Sequence, residues 1–186
     1  MPQANQNVIG LARGTVEVVP YHPAWAALFA TEAELLRGVM GAAALSIEHI
    51  GSTALVGMDA KPIIDLMVAV ESLPEAERWQ PVLAAHDYEF RPDPDIPERI
   101  FFAKGSHSRR THHLSLVEPT SDFFVTHLRF LAYLRAHPAA FAEYRALKLE
   151  LARKFPRERE AYTAGKHEFI ERVLACAASE FDATTL

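Results

Sequence analysis

Hydrophobic residues recur along the chain with two periods. From Ala24 the apolar positions Trp25, Leu28, Phe29, Leu35, Leu36, Val39 and Met40 keep helical spacing and stop at Gly41, which predicts one amphipathic helix. Leu45–Ile50 alternates polar and apolar residues and predicts a strand that breaks at Gly51-Ser52-Thr53. Pro62 to Val70 is apolar throughout except for Asp65, the pattern of a strand buried on both faces. Shorter signals surround these. Val16–Val19 predicts a brief strand before the turn Pro20-Tyr21-His22-Pro23, Pro74–His86 a helix, and Tyr88–Phe90 another strand. Residues 91–97, with three prolines, form a loop. Arg99–Ala103 and His112–Val117 read as two strands joined by a polar turn from Lys104 to Arg110. After Pro119 the period becomes helical: Ser121–Arg135, Ala139–Lys154 and Arg157–Glu180 are separated by His137-Pro138 and Phe155-Pro156.

This order of elements predicts an α+β protein. A flexible arm (1–14) precedes a mixed α/β part (15–119), and a helical part (120–186) packs on it as one unit. With 186 residues, 49% of them hydrophobic and 23% charged, the chain can bury a core without staples. A single cysteine, Cys176, excludes an intrachain disulfide and suits a reducing, cytoplasmic setting. No apolar run reaches membrane-helix length, and the first residues lack the apolar core of a signal peptide. The net charge of −5 argues against coating by nucleic acid, while leaving room for a local basic pocket. The apolar stripes of the C-terminal helices suit burial within the chain or against a second copy in a homo-oligomer.

Four groups of residues could carry chemistry. Gly51, Ser52 and Thr53 follow a strand and open a short helix, where free N–H groups and hydroxyls suit a phosphate or simply cap the turn. Asp65 is a carboxylate inside a buried strand, which requires a partner. Nearby Lys61 could neutralise a phosphate or pair with Asp59 or Glu48. In Thr111-His112-His113-Leu114-Ser115 the two histidines face opposite sides of a strand, so they cannot share one metal without a bulge. A basic set around the hairpin (Arg91, Arg99, Lys104, Arg109, Arg110) suits phosphate oxygens or a solvated turn. Lys148, Arg153, Arg157 and Arg159 read as a solvated helical face. Neither GxxxxGK[ST] nor GxGxxG is present.

Several blocks are familiar in combination. Val18-Val19-Pro20-Tyr21-His22-Pro23-Ala24-Trp25, Ile47-Glu48-His49-Ile50-Gly51-Ser52-Thr53-Ala54, Ala60-Lys61-Pro62-Ile63-Ile64-Asp65, Thr111-His112-His113-Leu114, Tyr133-Leu134-Arg135-Ala136-His137-Pro138 and Tyr162-Thr163-Ala164-Gly165-Lys166 resemble the GrpB family, in family order from about Val16 to Leu174. The resemblance implies a nucleotidyltransferase-like fold: a mixed β-sheet with helices on one face plus a C-terminal helical bundle. A related domain is fused to dephospho-CoA kinase in some bacteria.

In nucleotidyltransferases a Gly-Ser turn and two or three carboxylates hold two metals and a triphosphate. By resemblance Gly51-Ser52 matches the turn and Asp65 the first carboxylate, but Met67 stands where the second belongs. A thioether is a poor Mg²⁺ ligand. One metal, Mg²⁺ or more suitably Mn²⁺, on Asp65 with Glu48 or His113 is then the expected remnant. Two readings follow. In one, the cleft binds a nucleotide or coenzyme A-like phosphorylated ligand through Gly51, Ser52, Thr53, Lys61, Lys104 and Arg110, with incomplete metal carboxylates. In the other, the protein transfers a nucleotidyl group to a small acceptor, with Asp65 and His113 as catalytic residues.

Overall fold

In the computed structural model residues 8–180 are described. Five strands, β1 (Ser46–Ile50), β2 (Ile64–Ala69), β3 (Tyr88–Phe90), β4 (Arg99–Ser106) and β5 (Arg109–Val117), form one mixed sheet in the order β1-β2-β5-β4-β3. β2 and β5 are parallel and the other neighbours antiparallel. The chain must therefore leave β2, build the β3–β4 hairpin at the far edge, and return through β5 to the middle.

Period-2 alternation gives the two central strands two buried faces. Ile64, Leu66, Val68, Leu114 and Leu116 meet α1 (Ala24–Met40) through Trp25 and Leu36, together with the short helices α2 (Leu73–Ala76) and α3 (Trp79–Ala84). Met67 and Val117 point the other way, into α4 (Asp122–Ala136), α5 (Pro138–Lys154) and α7 (His167–Glu180), where Phe123, Leu131, Tyr144 and Phe169 complete a second core. α6 (Arg159–Ala164) precedes α7. The helices of the first part thus cover one face of the sheet and the C-terminal bundle covers the other.

Several expected boundaries move for local reasons. Residues 1–7 of the expected arm lie outside the described residues. Residues 8–14 are no free arm: Ile9 and Leu11 are buried, Gly10 N–H donates to Pro62 O at 2.8 Å, and Leu11 bridges to Arg110. Val16–Val19 forms no strand, only a bridge from Val19 to Ala60 and a hydrogen bond from Val16 N–H to Pro156 O. The helix expected over Pro74–His86 is divided into α2 and α3, because Pro81 has no N–H for the preceding turn and fits only a new first turn. The hairpin strands run longer than expected, to Ser106 and from Arg109, with a register shift after Lys104. The last predicted helix breaks between α6 and α7. There Gly165 lies against Leu151, whose Cδ2 would stand 2.5 Å from an added Cβ. Among the described residues no helix is long and apolar enough to cross a membrane.

Candidate functional site

The end of β1 and the start of β2 meet at one crowded point. Gly51 adopts φ +70°, and a Cβ there would lie 2.4 Å from Asp65 Oδ2. Glycine is therefore required twice over, for its backbone and for the approach of the carboxylate. The following turn, Ser52–Ala54, is a single 3-10 turn. Thr53 is buried; its hydroxyl donates to Ile63 O at 3.2 Å and lies 3.0 Å from His49 Nε2. With that proton used, the hydroxyl accepts from His49 Nε2–H, which assigns the neutral tautomer. Burial pushes His49 down to about 4, and its ring stacks on Phe29 at 4.5 Å. Thr53 is thus occupied with holding the turn, whereas Ser52 faces the Tyr144 phenol.

Asp65 pairs in register with His113 on the parallel neighbour, and His113 Nδ1 lies 2.9 Å from Asp65 Oδ1. The side chains are 32% and 18% exposed, so the pair sits at the rim of a cleft rather than in a sealed core. Asp65 Oδ1 is engaged by the histidine, and Oδ2 is pressed against Gly51. Glu48 shares the sheet face but stands opposite Met67, one register step away. Met67 is completely buried in the second core. Among the described residues no three His, Cys, Asp or Glu side chains converge as a metal group would need. The donor set does not fit a two-metal centre of hard oxygen ligands.

Beside Asp65 a cavity of about 300 Å³ opens between the sheet and the bundle. Gly51, Ser52, Thr53, Lys61 and Asp65 line one wall, as their spacing suggested. The opposite wall was not foreseen. Lys148 from α5, expected on a solvated face, is 1% exposed and donates to the carbonyl of Asp59. Lys166 lies in the break between α6 and α7. Lys61 and Lys166 stand 4.1 and 4.8 Å from the centre of the Tyr162 ring, and Lys148 is 4.9 Å from that of Tyr144.

Burial and then the Lys166 charge hold Lys61 down at about 8 and Lys148 at about 7. Burial lowers Lys166 as well. The carboxylate of Asp59 offers little compensation, since Arg145 binds both its oxygens at 2.8 and 3.1 Å. Three desolvated ammonium groups beside one carboxylate, Asp65, make a site that an anion would stabilise. His127 also lines the cavity. Its Nδ1 lies 2.7 Å from Phe123 O and is assigned as the donor, which leaves Nε2 a bare acceptor; burial lowers this histidine too.

Two expected binding residues lie elsewhere. Lys104 points to the α1 side of the sheet, where its Nζ lies 2.8 Å from Glu32 Oε1 and shares that carboxylate with the Tyr88 hydroxyl at 2.9 Å. Strand alternation explains this: Lys104 pairs with His112, not with His113. Arg110 is 6% exposed and joined to Leu11 by a pair of backbone hydrogen bonds. Its charged neighbours are Arg91, Arg13, Arg159 and Glu89, and it does not line the cavity.

Comparison with known proteins places these residues in context. A family profile described as GrpB protein matches residues 15–175. The Glutamate-rich protein GrpB of Alkalihalophilus pseudofirmus is 35% identical over 171 residues, covering 90% of this chain and 98% of that one. The YqkA protein of Bacillus subtilis is 38% identical over 84% of this chain, which spans only 45% of YqkA. A dephospho-CoA kinase of Mycolicibacterium paratuberculosis is 30% identical over 84% of this chain and 44% of its own length. Among solved structures, a conserved protein GrpB from Enterococcus faecalis superposes with a TM-score of 0.82 at 33% identity, covering 88% of this chain and 98% of that one.

Proposed function

The chain belongs to the GrpB family, and on that premise we propose that its cleft binds a small phosphorylated ligand, a nucleotide or coenzyme A-like molecule. One observation carries the reading: Lys61, Lys148 and Lys166 line a single cavity together with the Gly51-Ser52 turn. A lysine is a compact point charge suited to phosphate oxygens, and stripping it of water strengthens its pull on an anion. Ser52 supplies a hydroxyl to the same oxygens. Asp65, held by His113, sets the far side of the mouth and orients a hydroxyl of the ligand rather than its phosphate. The similarity to a stretch of a dephospho-CoA kinase suits a coenzyme A-related ligand, by analogy alone.

The Gly-Ser turn beside a strand carboxylate also has the outline of a nucleotidyltransferase. Binding is the better-supported function, because the carboxylates needed for two metals are incomplete. The test is a thermal-shift panel of nucleoside triphosphates and coenzyme A precursors with and without Mg²⁺ or Mn²⁺. A ligand at about 100 times its Kd adds about 2.7 kcal/mol, a rise of about 5 to 10 °C for a domain of this size. A shift independent of metal is the expected result. A shift that requires metal favours nucleotidyl transfer and directs attention to product analysis. No shift with any of these anions overturns the reading.

A further inference from the structure

The cavity is charged at one end and apolar at the other, and the order of residues along one helix shows it. Lys166 stands just before α7, Ile170 follows one turn later and Leu174 one turn beyond, all three lining the same cavity. Eight residues of helix rise about 12 Å. Lys61 and Lys166 stand over the same Tyr162 ring, and Lys148 lies three residues before Leu151, which packs on Gly165 beside Lys166, so the three ammonium groups gather at that end. Along α4 the chain contributes Leu131 to the apolar side.

A chain of phosphates running down the cavity would leave Ile170 and Leu174 against charged oxygens, which costs desolvation without return. The volume sits at the lower limit of small-molecule pockets and suits a compact ligand better than a whole nucleoside triphosphate.

We infer that the enclosed part of the ligand is a compact phosphomonoester, its dianionic head among Lys61, Lys148 and Lys166 and an apolar or aromatic body directly attached and resting on Ile170 and Leu174. The inference rests on the phosphorylated-ligand reading and narrows it. A polar sugar phosphate fits the head but not the wall. A bare di- or triphosphate would carry its charged oxygens onto the apolar wall.

The experiment is calorimetric titration of the full chain at pH 7 with inorganic phosphate, glycerol 3-phosphate, phenyl phosphate and a nucleoside triphosphate. At this pH the monoesters carry most of their second charge. Phenyl phosphate is expected to bind about tenfold or more tightly than inorganic phosphate or glycerol 3-phosphate, the gain of one buried apolar face. Leu174→Asn removes that advantage and leaves the inorganic phosphate affinity within about a factor of two. Leu174→Ala, milder at a half-buried position, halves the advantage or more if the asparagine variant fails to fold. Equal affinities for the three monophosphates, or an advantage that survives both substitutions, overturns the inference. If the triphosphate binds while phenyl phosphate matches inorganic phosphate, only this inference falls. If no anion binds, the broader reading falls with it.

Discussion

Asp65 and His113, 48 residues apart, are joined across the parallel pair of central strands by a hydrogen bond of 2.9 Å, with Nδ1–H donating to Oδ1. The other carboxylate oxygen of Asp65 is closed in by the backbone of Gly51. The carboxylate is therefore clamped between a histidine and a glycine, and both the mouth of the cavity and the turn that carries Ser52 depend on the clamp.

Gly51→Ala should expose that dependence. The added methyl would meet Asp65 Oδ2 at 2.4 Å on a backbone of φ +70°. Clash and left-handed strain together predict a loss of about 2 kcal/mol. In the double variant with Asp65→Ala the clash with the carboxylate disappears while the backbone strain remains, so part of the loss returns. Urea unfolding of the four proteins measures the coupling. Strictly additive losses would show that the two residues do not touch.

Lys61 and Lys104 both looked like phosphate ligands, yet they face opposite sides of the sheet. Lys61→Met or Lys166→Met should weaken the stabilisation given by a phosphorylated ligand at least about tenfold in apparent Kd. Lys104→Met should leave it unchanged while lowering the basal melting temperature, because Glu32 loses a buried partner. Parallel thermal shifts of the three variants decide. A ligand response lost with Lys104→Met would contradict the assignment of the cavity.

These cases show what the chain's pattern can and cannot reveal. α1 and β2 carry long, unambiguous periodicities, and a lone carboxylate in an apolar strand marked Asp65. Gly51 and Ser52 were found because a break after a strand is a local event. Lys148 was missed although a signal existed: it lies four residues after Tyr144 and three before Leu151, on the apolar stripe of α5. A lysine on such a stripe is either misplaced or functional. Lys104 reads as a turn residue from its polar surroundings, whereas β4 continues through it to Ser106 and strand alternation carries its side chain to the α1 side. Lys166 became visible only once Gly165 proved to break the last helix, which depends on its contact with Leu151, a partner from α5.

Alkaline pH should stabilise the free protein. The folded-state pKa of Lys148, about 7, lies below its ordinary value of 10.5, and Lys61 at about 8 behaves alike. Between these limits the unfolded chain binds more protons, so stability rises with pH from about 7 toward 10. One such group contributes a slope of up to about 1.4 kcal/mol per pH unit. Lys148→Met should flatten the profile measured by denaturant unfolding from pH 7 to 9.5. Identical slopes in the two proteins would sink this account.

Acid should act in the opposite sense through His49 and His112, both held by burial at about 4 against an ordinary 6.5. Below pH 6.5 the unfolded chain takes up protons that the folded one refuses, so stability falls from there and the fall levels off below about pH 4. His49→Gln should reduce the loss over this window, at a cost near neutrality from the altered contact with Thr53. An unfolding series from pH 7 to 4 tests it; an undiminished acid loss in that variant would assign the sensitivity to other groups.

The return of β5 to the middle of the sheet also governs when the cavity can exist. Its walls come from Gly51 and Asp65, from Tyr144 and Lys148 about eighty residues beyond Asp65, and from Leu174 close to the end of the described chain. No short stretch of chain holds two walls. Long-range closures of this kind carry a large loop entropy and make folding slow. A ribosome releasing the chain from its N-terminus must present α7 before any ligand can dock. Binding at the proposed site would therefore report on completed folding, and a truncation short of Leu174 removes one wall of the cavity, however well the sheet itself forms.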